Sequence, residues 1–217
     1  MRTIFLSVIA ICSCSLAMTQ SPSRHYLFDT FQKGTILLND GKKTADILNY
    51  NALTNEVVIK RDGQITTLTL SYVKKVDTIY VKGRKLIPYY GKFCESLINK
   101  EELRLLVDYE CTLKSNTENR NPYGSSSQTS SPVTIGQVQD KGALYDLQLP
   151  ELYSAELKYQ YRYIKGQSES ILKSMNQFKK LYPQHKKEFN KYKKENNVDF
   201  EDPLSVAKMI SYFESLD

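Results

Sequence analysis

Tryptophan is missing from the 217 residues, and histidine occurs only twice. Two imidazoles leave little material for a histidine-built metal site or a Ser-His-Asp triad. Neither His25 nor His185 lies in a nucleophile motif, and no Gly-x-Ser-x-Gly is present. The chain also lacks HExxH, an EF-hand loop, a CxxC pair, a P-loop and Gly-x-Gly-x-x-Gly, so the metal and nucleotide chemistries tied to those spacings have no foothold. No cofactor and no metal are implied. Nine glycines are too few for collagen, and four cysteines too few for a disulfide-dense scaffold. Beyond residue 17 no apolar stretch approaches the roughly 20 residues of a membrane-spanning helix. What is present, 41% apolar and 25% charged residues with a net charge of +6, suits a globular chain with a real core in one or two small domains.

Residues 1–17 read as an export signal. Arg2 supplies the positive start, Ile4 to Ile11 a short apolar core, and Ser15-Leu16-Ala17 small residues at the cleavage positions. Ile11-Cys12-Ser13-Cys14 also fits a lipoprotein box with Cys14 as the lipidated residue. Cys12 is untypical there, so cleavage after Ala17 is the favoured reading. Both readings export the protein, to the periplasm, the outside or an outer-membrane anchor.

Cleavage after Ala17 leaves Cys94 and Cys111. A pair in an exported chain points to a disulfide, which would add about 3 kcal/mol in the loop-entropy model. The competing reading is two thiols on neighbouring strands, because a hairpin turn at 99–102 sets Cys94 nearer Val107 than Cys111.

Residues 24–113 read as an antiparallel β domain of about seven short strands. Asn39-Asp40-Gly41, Asp62-Gly63 and Lys82-Gly83 are turn signals, and alternation is visible at Ile65/Thr67/Thr69 and Val76/Thr78/Tyr80. Such a meander closes into a small barrel or stays a bent sheet. Residues 114–142, rich in Ser and Asn, read as a flexible linker. Residues 143–217 comprise a returning strand and three helices. Leu157, Tyr159, Tyr161 and Tyr163 share one strand face, which is a core face in preference to a sugar platform. That strand is expected to pair with the edge of the first sheet. The helical stripes are Ile171/Met175/Phe178/Tyr182, His185/Phe189/Tyr192 and Leu204/Ala207/Ile210/Phe213, the last opened by Asp202-Pro203. The expected fold is therefore α+β.

Gly34-Thr-Ile-Leu-Leu-Asn-Asp-Gly41, Leu48-Asn-Tyr-Asn51, the run Ile79 to Tyr89 and Phe178-Lys-Lys-Leu-Tyr-Pro183 together resemble uncharacterised secreted proteins of Bacteroidetes-type bacteria. Those proteins have a β-rich front and a lysine-rich helical end. The resemblance covers most of 30–112 and 157–215 and implies an envelope or secreted setting. It carries over no functional residue. A weaker likeness, to Sm/SH3-like small barrels, rests on the Gly-x-Ile-x-Leu-x-Asp-Gly opening alone.

Charge placement is the distinctive feature. Lys173, Lys179, Lys180, Lys186, Lys187, Lys191, Lys193 and Lys194 face a single acid, Glu188, within 173–194. Seven of them, Lys179 to Lys194, form a candidate surface for an anionic envelope polymer or another envelope protein. The bland alternative is the solvated face of amphipathic helices. Export makes nucleic acid an unlikely partner. The leading expectation is a non-catalytic envelope or secreted interaction module. The second is a hydrolase of glycan or cell-wall material using carboxylates such as Glu95, Asp108 or Glu110. A third is a purely structural subunit, which an exposed apolar patch would mark.

Overall fold

Three Xaa-Gly dipeptides turn the chain back on itself in the first half of the fold. In the computed structural model, which describes residues 25–115, 132–133 and 153–216, Asp62-Gly63, Lys82-Gly83 and Tyr90-Gly91 all take positive φ. Each closes a two-residue hairpin, the connection whose twist matches that of paired strands. The strands are β1 (Gln32–Leu38), β2 (Lys43–Asn51), β3 (Glu56–Arg61), β4 (Gln64–Thr67), β5 (Val76–Val81), β6 (Arg84–Tyr89), β7 (Lys92–Asn99), β8 (Leu103–Ser115), β9 (Pro132–Val133), β10 (Tyr153–Lys165) and β11 (Ser168–Leu172). They form one antiparallel sheet in the order β11-β10-β8-β7-β6-β5-β1-β2-β3-β4, with the short β9 against β8. The sheet is open, so of the two β architectures expected it is the meander that forms, not the closed barrel. The segment expected to be an export signal, with Cys14, and nearly all of the expected 114–142 linker lie outside the described residues.

The order departs from a simple meander at one point. After β4 the chain crosses through the single helical turn α1 (Leu70–Val73) and sets β5 beside β1. Strands sit about 4.8 Å apart, and only eight residues join β4 to β5. The sheet therefore has to coil, and β3 comes against β7, a strand it does not pair with. Gly34 sits at the tightest point: a Cβ there would lie 2.9 Å from the Tyr80 carbonyl oxygen and 3.0 Å from the Leu48 side chain.

Coiling gives the sheet one continuously apolar face. Ile36, Leu48, Ile79, Leu86, Leu105 and Tyr161 lie on it, each buried. Helices α2 (Met175–Leu181), α3 (Lys186–Glu195) and α4 (Pro203–Phe213) cover its far end through Phe178, Phe189, Met209 and Phe213. The tyrosine ladder is part of this core. Tyr161 is fully buried against Phe178 and Phe200 and donates to the Phe200 carbonyl at 2.6 Å. Tyr163 and Tyr182 donate to one oxygen of Glu214, at 2.6 and 2.8 Å, and Lys165 approaches the other at 2.9 Å. Asp202 caps α4, accepting from the Leu204 amide at 3.1 Å ahead of Pro203.

The returning strand pairs along its whole length with β8, as its pattern predicts, and runs from Tyr153 instead of 157. Two expectations fail. Ile171 belongs to β11, not to the first helix. Gly166, at φ +58°, turns the chain into a hairpin, and Ile171 pairs with Arg162. The alternation read at Ile65/Thr67/Thr69 continues as strand only to Thr67, because the chain must leave the sheet there to reach β5.

Candidate functional site

The lysines of 179–194 gather on the helical lobe. Inward-facing Phe178, Phe189 and half-buried Tyr192 fix the orientation of α2 and α3. At about 100° per residue, Lys187, Lys191 and Lys194 then fall on the outer side of α3, with Lys186 and Lys193 on its flank. Lys180, Lys186, Lys187, Lys191, Lys193 and Lys194 are exposed and Lys179 half-exposed. Among the described residues, one of these seven has an ion pair within reach: Lys191, 4.0 Å from Glu195. Glu188, the single acid of the segment, turns to other partners. It accepts from the Tyr212 hydroxyl at 2.6 Å and meets His185 Nδ1 at 3.2 Å, contacts that hold its carboxyl below the ordinary glutamate value. The lysines singled out from the sequence are thus exposed or half-exposed residues of α2 and α3. Their use is a separate question.

The three carboxylates do not converge. Strand neighbours point to opposite faces of a sheet, and the register sets Glu95 opposite Val107, one residue before Asp108. Glu95 lies on the core face, 4% exposed, where it accepts from the Tyr109 hydroxyl and meets the Arg84 guanidinium at 3.4 Å. Burial raises its carboxyl above the ordinary value, although the Tyr109 bond and Arg84 pull the other way. Arg84 packs its guanidinium against the Phe28 and Tyr109 rings, at 5.4 and 5.8 Å.

Asp108 is fully buried on the opposite face. Lys92 bonds its Oδ2, with Arg162 at 3.4 Å and Gln160 at 3.5 Å, while Oδ1 has no hydrogen-bond partner. Lys92 also lies 3.8 Å from Glu110, which is half exposed. Arg162 extends the chain of charges to Glu169 at 2.8 Å, and Glu169 accepts from the Tyr89 hydroxyl at 3.1 Å. A glycosidase needs two carboxyls flanking one bond. Glu95 is separated by the sheet from Asp108 and Glu110, and Asp108 is committed to two cations.

The cysteines also face apart. Cys94 is buried beside Leu106 on the face of Asp108, whereas Cys111 is on the core face and pairs in register with Leu157. No disulfide joins them, so of the two readings it is the pair of thiols on neighbouring strands that the structure shows. The physical reason is register. Adjacent β7 and β8 place residues 94 and 111 on opposite sides of the pleat, so their sulfurs cannot meet. Burial raises Cys94 to about 12 and Cys111 to about 11, so neither is a ready thiolate.

His25 is buried against the Tyr26 ring, and His185 belongs to the Glu188 contact. Among the described residues, no group of three His, Cys, Asp or Glu side chains could hold a metal ion, and no helix is long and apolar enough to cross a membrane. Comparison with known families, curated proteins and solved structures gives no match.

Sequence reasoning missed the buried charges. Lys158, Gln160 and Arg162 alternate with the tyrosines and read as a wet face, yet Gln160 and the Arg162 side chain are only 7% and 13% exposed. The signal was available one strand away. Asp108 interrupts the apolar run Leu103-Arg-Leu-Leu-Val107, and a carboxylate there needs cations from neighbouring strands.

Proposed function

We propose that this protein is an exported, non-catalytic interaction module that binds anionic envelope polymer through the lysine surface of α2 and α3. The observation that carries this reading is the set of seven lysines with, among the described residues, a single compensating carboxylate within 4.0 Å. Such a surface has a positive field extending about a Debye length into solution, roughly 8 Å at physiological salt. No arginine occurs from residue 166 onward. Lysine is a mobile point charge without a bidentate fork, which suits a polymer of repeating phosphates better than one defined small ligand. The export signal of 1–17 and the envelope setting implied by the sequence resemblance point to lipopolysaccharide or a teichoic-type polymer as the material met.

The test is retention on lipopolysaccharide-coated beads across a salt series. Wild-type protein is expected to bind and to elute as salt rises. The Lys179→Glu/Lys180→Glu/Lys186→Glu/Lys187→Glu variant should lose retention while keeping its circular dichroism spectrum. Retention equal to wild type removes the lobe from the mechanism.

A further inference from the structure

On the face of the sheet turned away from the helices, the β6–β7 hairpin ends in two aromatic rings. Tyr90, at the tip, is 81% exposed, more than any other large hydrophobic side chain among the described residues. Its φ is +45°, in the left-handed region that hairpin turns fill with Asn, Asp or Gly. The same position in the two sister hairpins holds Asp62 and Lys82, at φ +50° and +48°. An aromatic residue here stays largely in solvent and takes a strained backbone, so its own burial does not account for it. Strain of this kind accumulates where a side chain serves another purpose.

The surroundings say what that purpose is. The Tyr90 ring stands edge-on to Tyr89, with centroids 4.6 Å apart. Tyr89 carries the guanidinium groups of Arg162 at 5.5 Å and Arg104 at 6.0 Å. Arg162 is committed to Asp108 and Glu169. Arg104 is half-exposed and has no ion pair among the described residues. The hairpin tip thus presents an exposed ring packed edge-on to Tyr89, which itself lies under a planar cation with no hydrogen bond or ion pair among the described residues.

We infer that Tyr90, Tyr89 and Arg104 bind an acidic sugar chain, specifically one carrying uronic acid carboxylates. A guanidinium fork matches the two oxygens of a carboxylate. A tyrosine ring offers a rigid, amphipathic platform for the apolar face of the same sugar, at little cost in side-chain entropy. A protein partner fits less well. A stable protein interface needs about 800 Å² from each side around an apolar centre, whereas a single ring at a hairpin tip suits a polymer gripped one or two units at a time. The site lies across the sheet from the lysine lobe and does not depend on it.

Calorimetric titration of the exported protein with tetragalacturonate, with maltotetraose as the neutral control, tests the assignment. Tetragalacturonate is expected to bind about tenfold or more tightly than maltotetraose. Tyr90→Asn and Arg104→Lys should each weaken its binding roughly tenfold. Tyr90→Asn should at the same time raise Tm, since Asn accepts the left-handed backbone. That opposite movement separates a binding residue from a structural one. The lysine-lobe variant with four glutamates should bind tetragalacturonate as wild type does, so failure of one site is not mistaken for failure of the other. The inference is overturned by no binding to wild type, by equal affinity for the neutral sugar, by undiminished binding in Tyr90→Asn, or by loss of binding in the lobe variant.

Discussion

Replacing Glu214 by glutamine should unfasten the helical lobe from the sheet. Glu214 follows the last turn of α4, and its side chain is 10% exposed. Three donors from other elements converge on it: Tyr163 and Lys165 of β10 and Tyr182 at the end of α2, at 2.6, 2.9 and 2.8 Å. Burial pushes this carboxyl up, but the bonds from Tyr163, Lys165 and Tyr182 outweigh it and leave it below the ordinary glutamate value. An amide of the same shape has one acceptor oxygen, so at least one of the three donors then faces an NH2. Hydrogen bonds to charged groups contribute about 1.5–3 kcal/mol each. With one lost and the others weakened, the expected cost at pH 7 is about 2–3 kcal/mol. For a chain of this size that lowers Tm by roughly 4–12 °C. Urea unfolding followed by circular dichroism measures it, with Tyr163→Phe and Tyr182→Phe completing double-mutant cycles. The pH dependence follows in sign. A carboxylate whose folded pKa lies below its unfolded value stabilises fully above the unfolded value, near 4.5, and loses that contribution as pH falls through the folded one. The gap between wild type and Glu214→Gln should therefore close on acidification below about pH 4. A cost under about 0.5 kcal/mol, or a gap unchanged at pH 3, refutes the reasoning.

Two further outcomes follow from the sheet. Gly34→Ala should cost about 2 kcal/mol or more, because its Cβ meets the Tyr80 backbone carbonyl at 2.9 Å and a paired strand cannot step aside; an unchanged urea midpoint would show that β1 and β5 can separate. Without reductant, both Cys94 and Cys111 should be alkylated after unfolding, and Cys94 should be protected in the native state; recovery of a linked 94–111 peptide would contradict the register.

The local signals that proved legible share one property, in that each is settled within a few residues. Asp62-Gly63 and Lys82-Gly83 need only the φ of two positions, the tyrosine ladder only a period of two, and Asp202-Pro203 only one helix end. What depended on partners distant in sequence was not legible. The return of β5 to β1 is settled by pairing across about 40 residues and the face of each cysteine by a register offset of one, while Ile171, in a local hairpin, fits the helical spacing to Met175 as well as it fits a strand. Among the candidate site residues, the lysines of α3 could be placed from spacing, because helix periodicity carries Lys187, Lys191 and Lys194 to its outer side. The carboxylates could not, since Glu95 and Asp108 are separated by the sheet itself. Tyr90 escaped notice for the opposite reason. Its turn is as readable from Gly91 as the sister turns are from theirs, but the exposure of the ring is set by where the hairpin ends in the sheet.

The two faces of the sheet solve burial by different means, and the difference bears on where a partner can dock. The core face is closed by helices, so its polar groups must be satisfied internally, as Glu95 is by Tyr109 and Arg84. Among the described residues no second layer of helices or strands covers Cys94, Leu106 and Ile164 on the other face, yet these are 0–7% exposed. Long side chains form the cover: Arg162 spans Asp108 and Glu169, Lys92 closes over Asp108, and Tyr89 lies beneath two guanidiniums. Each of these heads is wet on one side and bonded on the other, which blocks apolar self-association while burying the stems. A partner approaching that face meets groups already committed to one another, and displacing Lys92 or Arg162 would remove one of the two cations on the buried Asp108, a loss of up to about 3–5 kcal/mol. Recognition there is confined to the rim, where Arg104 and Tyr90 can be engaged without breaking the network.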